Sequence, residues 1–293
     1  MMLFSVQSIS INDELYPEIL KKIKNPPQTL YYSGKLLPKE NCLAIVGSRN
    51  YSKYGQECCL KIGYDLAESG LTIVSGLAHG IDSFAHQAAL KAKQRTIAVL
   101  GTAIDAKNFY PKENLKLAEE ILQNNGLIIS EYEPGKKTLP YAFAERNRII
   151  SGLSLGVLVI EAKQKSGSLI TAEIAKKQNK KVFALPGSIY SANSHGCHEL
   201  IKKGAILIEN KYDILKALEI EHLPLVFKND TPTESTPEEK SILSCLSGEP
   251  LHIETLIKNT KLSASTVMST ISLLEIKNKI IDLGDSTYCL NKK

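Results

Sequence analysis

The sequence predicts an α/β protein, a doubly wound parallel sheet followed by a small winged-helix domain. From residue 42 onward, short apolar runs recur without polar alternation, which is typical of strands covered on both faces. Longer stretches of helical period separate these runs, as the crossover helices of a parallel sheet require. The predicted strands are residues 43–46, 71–74, 96–100, 127–129, 157–160, 182–185 and 205–208.

The composition is typical of a globular chain with more than one domain. Of its 293 residues, 43% are hydrophobic and 23% are charged. Because a single core stops growing near roughly 250 residues, we expect a large domain over residues 1–218 and a small one over residues 240–293. No apolar run reaches the ~18 residues of a membrane span, and the first residues lack the pattern of a secretory signal, so we expect a cytoplasmic protein.

Charge and proline mark a linker over residues 219–239. This segment holds three prolines and one Lys against six acidic residues, whereas residues 1–218 hold 28 Lys and Arg against 20 Asp and Glu. The basic excess therefore belongs to the large domain, although a modest excess is also typical of an ordinary solvated surface.

The small domain reads as three helices followed by a hairpin, which is a winged helix. The predicted helices cover residues 237–246, 253–258 and 263–278, and the hairpin strands flank a turn at Gly284 and Asp285. The third helix carries Ser and Thr but no Arg. Protein docking or support of a dimer therefore suits it as well as base reading does.

The segment from Gly47 to Gly55 follows the first strand, where a nucleotide-binding sheet places its phosphate loop. Arg49 stands where the dinucleotide fingerprint has its second glycine. The segment therefore favours binding a phosphate through the Arg49 side chain over burying a dinucleotide against the backbone. Only four of the 36 basic residues are Arg, and a planar guanidinium suits bidentate binding of oxyanions. A tight turn with a solvent-facing Arg49 is the alternative.

A second anion-binding segment follows the fifth strand. Ser166, Gly167 and Ser168 begin a predicted helix and present backbone amides and hydroxyls, with Lys163 and Lys165 just before them. A carbohydrate phosphate or a nucleotide would suit this segment as well as DNA would.

The helix after the fourth strand carries an aromatic residue and two arginines. Phe143 lies three residues before Arg146, a combination that binds single-stranded nucleic acid by stacking and phosphate neutralisation. Arg146 and Arg148 are two residues apart and cannot share one helix face. Phe143 could equally be a core aromatic, and Glu145 would repel phosphate unless it turns away or pairs with an Arg.

Catalytic and metal-binding patterns are weak. His79 and Asp82 invite an acid/base interpretation, but no nucleophile elbow accompanies them and Asp82 is more simply a helix N-cap. His195, Cys197 and His198 cluster without the spacing of a metal site. We therefore expect no catalytic residue, no metal and no cofactor.

Eight short motifs occur in a fixed order along the large domain: Ala44–Arg49, Ser75–Asp82, Ala98–Gly101, Tyr110–Asn114, Arg146–Leu153, Glu161–Ala162, Ser166–Ala172 and Leu185–Gly187. Taken in order, these motifs closely resemble those of the DNA-processing protein A (DprA/Smf) family. The match covers about residues 11–218, and the C-terminal unit is similar to the winged-helix domain that many members carry.

The resemblance implies a non-catalytic protein with an extended Rossmann-like domain that binds single-stranded DNA in a basic pocket. It also implies a homodimer that loads the RecA recombinase during natural transformation. The dimer patch would include Ile201 and Leu207. The implied DNA-binding residues are Gly47, Ser48, Arg49, Lys53, Phe143, Arg146, Arg148, Lys163, Lys165, Ser166, Gly167 and Ser168.

Two departures and two alternatives accompany this expectation. The 40 or so residues before the first predicted strand are too few for the N-terminal helical domain of many members, and Ala144 and Glu145 replace a common Pro after Phe143. A nucleotide-monophosphate hydrolase of the lysine-decarboxylase-like type is one alternative, because Thr171-Ala-Glu173 faintly echoes its motif. A pure protein scaffold is the other.

Overall fold

The computed structural model describes residues 4–220, 236–246, 249–276 and 279–291. The chain divides into two compact units, Met1–Val226 and Phe227–Lys293. Most of the predicted linker, residues 221–235, lies outside the described residues. None of the helices in the described ranges is long and apolar enough to cross a membrane.

The first unit contains a nine-stranded, mostly parallel sheet, and all seven predicted strands are confirmed in it. Their residues are apolar in continuous runs because helices cover both faces. The seven parallel strands are β3 (Cys42–Val46), β4 (Thr72–Ser75), β5 (Thr96–Leu100), β6 (Leu127–Ser130), β7 (Gly156–Val159), β8 (Lys181–Ala184) and β9 (Ile206–Leu207).

Two strands before residue 42 extend the sheet, and the sequence analysis predicted neither. Strand β1 (Gln7–Ser10) pairs antiparallel with β2 (Thr29–Gly34), which pairs antiparallel with β6. Ile9 and Leu30 face each other in this pairing and are both buried. The N-terminal segment therefore completes the edge of the sheet.

Successive residues of β3 point to opposite faces and show how the core is divided. Ala44 and Val46 pack in one cluster with residues of α5 (Ala142–Gly152) and α6 (Gly167–Lys177). Leu43 and Ile45 pack in another with α2 and α3. The remaining helices are α1 (Glu18–Lys21), α2 (Lys53–Glu68), α3 (Ile81–Lys91), a 3₁₀ turn (Lys112–Asn114), α4 (Leu115–Gln123), α7 (His195–Lys202) and α8 (Lys211–Ala217).

The strand order places a topological switch between β3 and β7. From β3 the chain proceeds through β4, β5 and β6 toward one edge, whereas from β7 it proceeds through β8 and β9 toward the other. The loops that leave the carboxyl ends of β3 and β7 therefore lead to helices on opposite faces of the sheet and open a crevice between them.

The second unit is a winged helix with its own core. Ile242, Leu256, Val267 and Leu274 are buried together. The three predicted helices and the hairpin are confirmed, and a short strand before the second helix is an addition. The elements are α9 (Pro237–Cys245), β10 (Leu251–His252), α10 (Ile253–Thr260), α11 (Ala264–Ile276), β11 (Ile280–Asp282) and β12 (Thr287–Leu290).

Candidate nucleic-acid interface

A cavity of about 510 Å³ occupies the crevice at the switch between β3 and β7. Its wall is built by the loop after β3, by the first turns of α5 and by the loop after β7, three segments that the sequence analysis selected separately. Nine of the twelve predicted DNA-binding residues line it: Gly47, Ser48, Arg49, Phe143, Arg146, Lys163, Ser166, Gly167 and Ser168.

Close packing at two glycines shapes the loop after β3. A Cβ on Gly47 would lie 2.7 Å from Cγ1 of Ile81, so only glycine lets α3 pack against this turn. Gly80 has φ +79°, and a Cβ there would lie 2.4 Å from the carbonyl oxygen of Ser48. The Ile81 amide donates to the same Ser48 carbonyl at 3.2 Å. The turn is therefore rigid where it presents Arg49.

Two of the cations that line the cavity are free to meet a ligand. Arg49 and Lys163 are exposed, and neither side chain has a hydrogen bond or ion pair with any described residue. Unpaired, solvated cations can neutralise a phosphate without first breaking an internal bond. The cavity therefore offers positive charge from both sides of the switch.

The N-terminus of α6 is open toward the cavity. Its N-cap residue, Ser166, makes no capping hydrogen bond to the helix, and its hydroxyl lies 2.9 Å from that of Ser168. In the described part of the chain, the amides of Gly167 and Ser168 have no hydrogen-bond partner. Free amides at a helix N-terminus form an anion site, because the helix dipole adds positive potential there.

Arg146 differs from Arg49, since its guanidinium is buried and bonded within the protein. Its Nη1 donates to the carbonyl oxygens of Gly76, at 2.8 Å, and Val99. Burial lowers the pKa of Arg146 to about 10, and the nearby Asp82 opposes this effect. Arg146 therefore lines the cavity as a buried group whose Nη1 is bonded to the protein itself.

A buried polar layer lies against Arg146. Gly80 occupies the N-cap position of α3, so the predicted cap at Asp82 was wrong; instead the Asp82 carboxylate accepts the Gly76 amide at 3.1 Å. Burial raises the pKa of Asp82, and Arg146 counteracts it. His86 is fully buried with its Nδ1 2.8 Å from the Thr96 hydroxyl, and burial lowers its pKa to about 3.

Phe143 presents an aromatic ring at the cavity wall. A Cβ on Gly101 would lie 2.8 Å from Cδ1 of Phe143, so this glycine at the end of β5 makes room for the ring. Tyr110, which is 49% exposed, packs edge-on against it with the ring centroids 5.7 Å apart. Glu145 turns away from the cavity and accepts a hydrogen bond from the Tyr132 hydroxyl at 3.1 Å.

Three predicted residues do not line the cavity. Arg148 pairs with Glu131 at 2.6 Å and donates to the Asn25 carbonyl, so it ties α5 to the N-terminal segment. Lys53 is exposed at the start of α2, 3.8 Å from a carboxylate oxygen of Glu57. Lys165 is exposed in the loop before α6, in a left-handed conformation with φ +60°.

The cavity wall also contains residues that the sequence analysis missed. Asn147 lies four residues after Phe143 and Thr171 lies four residues after Gly167, so helical spacing could have suggested both. Asn50 follows Arg49 in the selected loop after β3, whereas Pro140 carries no such signal, because only the folded chain brings it to the crevice. The full set of unpredicted wall residues is Val46, Asn50, Ala78, Asp82, Pro140, Ala144, Asn147, Ile150, Ile170 and Thr171.

Glu173, which suggested the hydrolase alternative, is exposed on α6 and does not line the cavity. A carboxylate that faces solvent outside the cavity cannot reach a ligand bound within it. The geometry of the described residues therefore does not favour the hydrolase.

Comparison with known families decides the relationship. A model of the family described as DNA recombination-mediator protein A matches residues 7–219, which include all of the cavity wall. The chain belongs to the DNA recombination-mediator protein A family. A second model, the DprA winged helix domain, matches residues 228–285.

Members of this family resemble the chain in sequence and in structure. The DNA processing protein DprA of Streptococcus pneumoniae is 48% identical over 213 residues, which cover 72% of this chain and 74% of that protein. Its X-ray structure matches with a TM-score of 0.68 and 47% identity, again over 72% and 74%. DNA processing protein A from Helicobacter pylori, described for its single-stranded DNA binding mode, matches with a TM-score of 0.66, 34% identity, and 75% and 98% coverage.

The depressed pKa of His86 predicts acid sensitivity of the first unit. Between pH 6.5 and about 3, His86 binds a proton only in the unfolded chain, so the free energy of unfolding falls as the pH falls. We expect His86 to account for a loss of roughly 2 kcal/mol between pH 7 and pH 5. Urea unfolding of the wild type and of His86→Asn at both pH values measures this difference.

The exposed Gln87, next to His86 on α3, supplies a control without a titratable group. Gln87→Ala should retain the pH dependence of the wild type, whereas His86→Asn should lose the His86 component. Equal pH dependence in the wild type and His86→Asn would contradict the assignment.

Proposed function

We propose that this chain binds single-stranded DNA in the cavity between the loops after β3 and β7, without reading base sequence. One observation carries the proposal: two exposed, unpaired cations, Arg49 and Lys163, line the same cavity as the open N-terminus of α6. Cations and free amides neutralise the phosphate backbone, which is common to every DNA sequence.

Phe143 and Tyr110 supply an apolar contact for unpaired bases. Their packed rings stand beside the phosphate-binding groups, and Tyr110 is half exposed. Stacking on an aromatic ring contributes about 1–3 kcal/mol per base and tolerates every base, because each has a flat π-face. A base paired within a duplex is already stacked, so this contact favours single strands.

A homodimer joined along β9 is part of the proposal. Strand β9 pairs only with β8 among the described residues, and Leu207 on it is 45% exposed. Ile201 on α7 is partly buried and packs against the core, so it would support the interface from behind. Two linked cavities would bind a long strand more tightly through their effective concentration.

The family relationship extends the proposal to a biological role. The Helicobacter pylori member is described as binding single-stranded DNA, and the matching family is that of DNA recombination mediators. We propose that this chain likewise acts in the cytoplasm during natural transformation, where it loads the RecA recombinase onto incoming single strands.

Replacing Arg49 by Ala tests the cavity. We expect the affinity for a fluorescent oligo-dT to fall about tenfold, because a charge-assisted phosphate contact is lost. The slope of log affinity against log salt concentration should become shallower by roughly 0.7 per lost phosphate contact. Fluorescence anisotropy over a range of salt concentrations measures both quantities.

Lys61→Ala is the matched control, because it removes an equal charge from an exposed residue of α2 that lies outside the cavity wall. It should change the affinity less than twofold. Equal losses in the two variants, or an affinity in the wild type that does not respond to salt, would reject the cavity as the binding site.

Leu207→Lys tests the dimer. A charge on the free edge of β9 should raise the dimer dissociation constant at least about tenfold, because a lysine would be desolvated in the interface. Sedimentation equilibrium measures this constant. Leu15→Lys, at another exposed leucine (53%), should leave it unchanged; a wild type that is monomeric, or a Leu207→Lys variant that dimerises normally, would refute the interface.

The mediator role predicts that RecA assembly depends on the cavity. On oligo-dT coated with single-strand binding protein, the wild type should shorten the lag before RecA hydrolyses ATP, and Arg49→Ala should not. Measurement of ATP hydrolysis over time distinguishes the two. If Arg49→Ala stimulates RecA as well as the wild type does, a protein scaffold that needs no DNA contact is the correct description.

A further inference from the structure

Two long helices, α2 and α6, begin at the switch, and their N-termini differ. The α6 terminus is open, as described above. At the α2 terminus, the Glu161 carboxylate accepts the backbone amide of Ser52 at 2.9 Å and the Ser52 hydroxyl at 2.5 Å. The Ser52 hydroxyl in turn accepts the amide of Gly55 at 3.0 Å. A carboxylate of the chain itself thus occupies the place where a parallel α/β sheet usually binds a ligand phosphate.

Gly55 makes this close approach possible. A Cβ at this position in the first turn of α2 would lie 2.4 Å from both Cδ and Oε2 of Glu161. In phosphate-binding loops, glycine serves the same purpose and lets a phosphate approach the backbone. Here the glycine admits an internal carboxylate instead.

Polar contacts surround the Glu161 carboxylate at the N-terminus of α2. Glu161 is only 2% exposed, and it has no ion pair within the described residues. The Asn193 amide donates to Glu161 at 3.3 Å and to the Asn50 carbonyl at 2.9 Å. The positive end of α2 compensates the remaining charge. The same network fixes the loop that carries Arg49.

We propose that Glu161 is a specificity-determining residue that fills the anion site of α2 and excludes free phosphates and mononucleotides from it. Phosphate binding at the switch is then left to α6, Arg49 and Lys163, which lie along a cavity open to a polymer. This inference deepens the proposed function, on which its relevance to DNA rests, because it names the helix that the DNA phosphates do not use.

The α2 site becomes accessible when the carboxylate is removed. A second cavity of about 670 Å³ is lined by Ser52, Tyr54 and Glu161 and by the serine-rich segment that follows Pro186. A small anion that enters this cavity would meet the outer side of Glu161. Shortening Glu161 therefore exposes the Ser52 amide and the α2 dipole to them.

Glu161→Ala tests the inference by anion rescue. We expect a lower melting temperature in chloride buffer, since the α2 terminus loses its acceptor. Inorganic phosphate should then raise it by about 3–6 °C at tenfold its dissociation constant, at fixed ionic strength. Differential scanning calorimetry measures this shift. Isothermal titration calorimetry should show one more binding site for 5′-dTMP in Glu161→Ala than in the wild type.

Two control variants distinguish an emptied anion site at α2 from the mere loss of a negative charge. Glu161→Gln keeps the volume and an acceptor oxygen, and Glu57→Ala removes an exposed carboxylate one turn further along α2. Neither should respond to phosphate more than the wild type does. If Glu161→Ala also responds no more than the wild type, the carboxylate does not fill an anion site and the inference fails.

Gly55→Ala tests the close approach if Glu161→Ala does not fold. The added methyl displaces the carboxylate, and we expect the melting temperature to fall by about 5 °C. Gly167→Ala is the control for stability, because no atom lies within 4 Å of its added Cβ. Equal melting temperatures for the two variants would overturn the inference.

The two hypotheses fail in different experiments. Loss of the proposed function would appear as a wild type that does not bind oligo-dT, whatever the phosphate response of Glu161→Ala. The inference alone fails if the wild type binds oligo-dT normally but phosphate does not raise the melting temperature of Glu161→Ala more than that of the wild type. It also fails if Gly55→Ala melts at the same temperature as Gly167→Ala.

Discussion

Strands β3 and β7 are neighbours in the sheet, but the chain continues from them toward opposite edges. The site depends on this divergence of the chain. Two loops must separate at this point, so a crevice opens at the carboxyl ends of the strands. Both loops lead into helix N-termini, whose dipoles contribute positive potential to the crevice, and the α6 terminus adds free amides. Arg49 and Lys163 add to a potential that the topology already provides.

The protein distinguishes cations that serve the fold from cations that remain available to a ligand. Arg146 and Arg148 are bonded internally, one beneath the cavity and one to Glu131. A buried guanidinium is stable only when carbonyls and carboxylates satisfy it, so little of its charge is left for another partner. Arg49 and Lys163 lack such partners among the described residues and stay solvated. Fewer cations are therefore available to bind a ligand than the number of basic residues in the motifs suggests.

The N-termini of the two helices at the switch differ in whether the chain itself fills their anion site. Glu161 closes one with an internal carboxylate, whereas Ser166 leaves the other uncapped. Such an arrangement suits a ligand that offers many phosphates in a row along one wall. It does not suit a compact cofactor, which would need its phosphate deep in the switch. One carboxylate, Glu161, and one glycine, Gly55, can thus change the ligand preference of this sheet architecture from nucleotides to polymers.

Much of this protein follows from local sequence, because continuous apolar runs and helical periods determine strands and helices wherever both faces are buried. The seven parallel strands, the winged helix and the loops that carry Arg49 and Ser166 were predictable for this reason. Strands β1 and β2 were not, since their short, partly exposed runs become strands only by pairing with the edge at β6. Tertiary structure alone decided which polar groups face a ligand. Arg146 and Arg49 carry the same charge and both belong to predicted DNA-binding motifs. Only the folded chain brings the carbonyls of Gly76 and Val99, distant in sequence, to Arg146 and leaves Arg49 without such partners among the described residues.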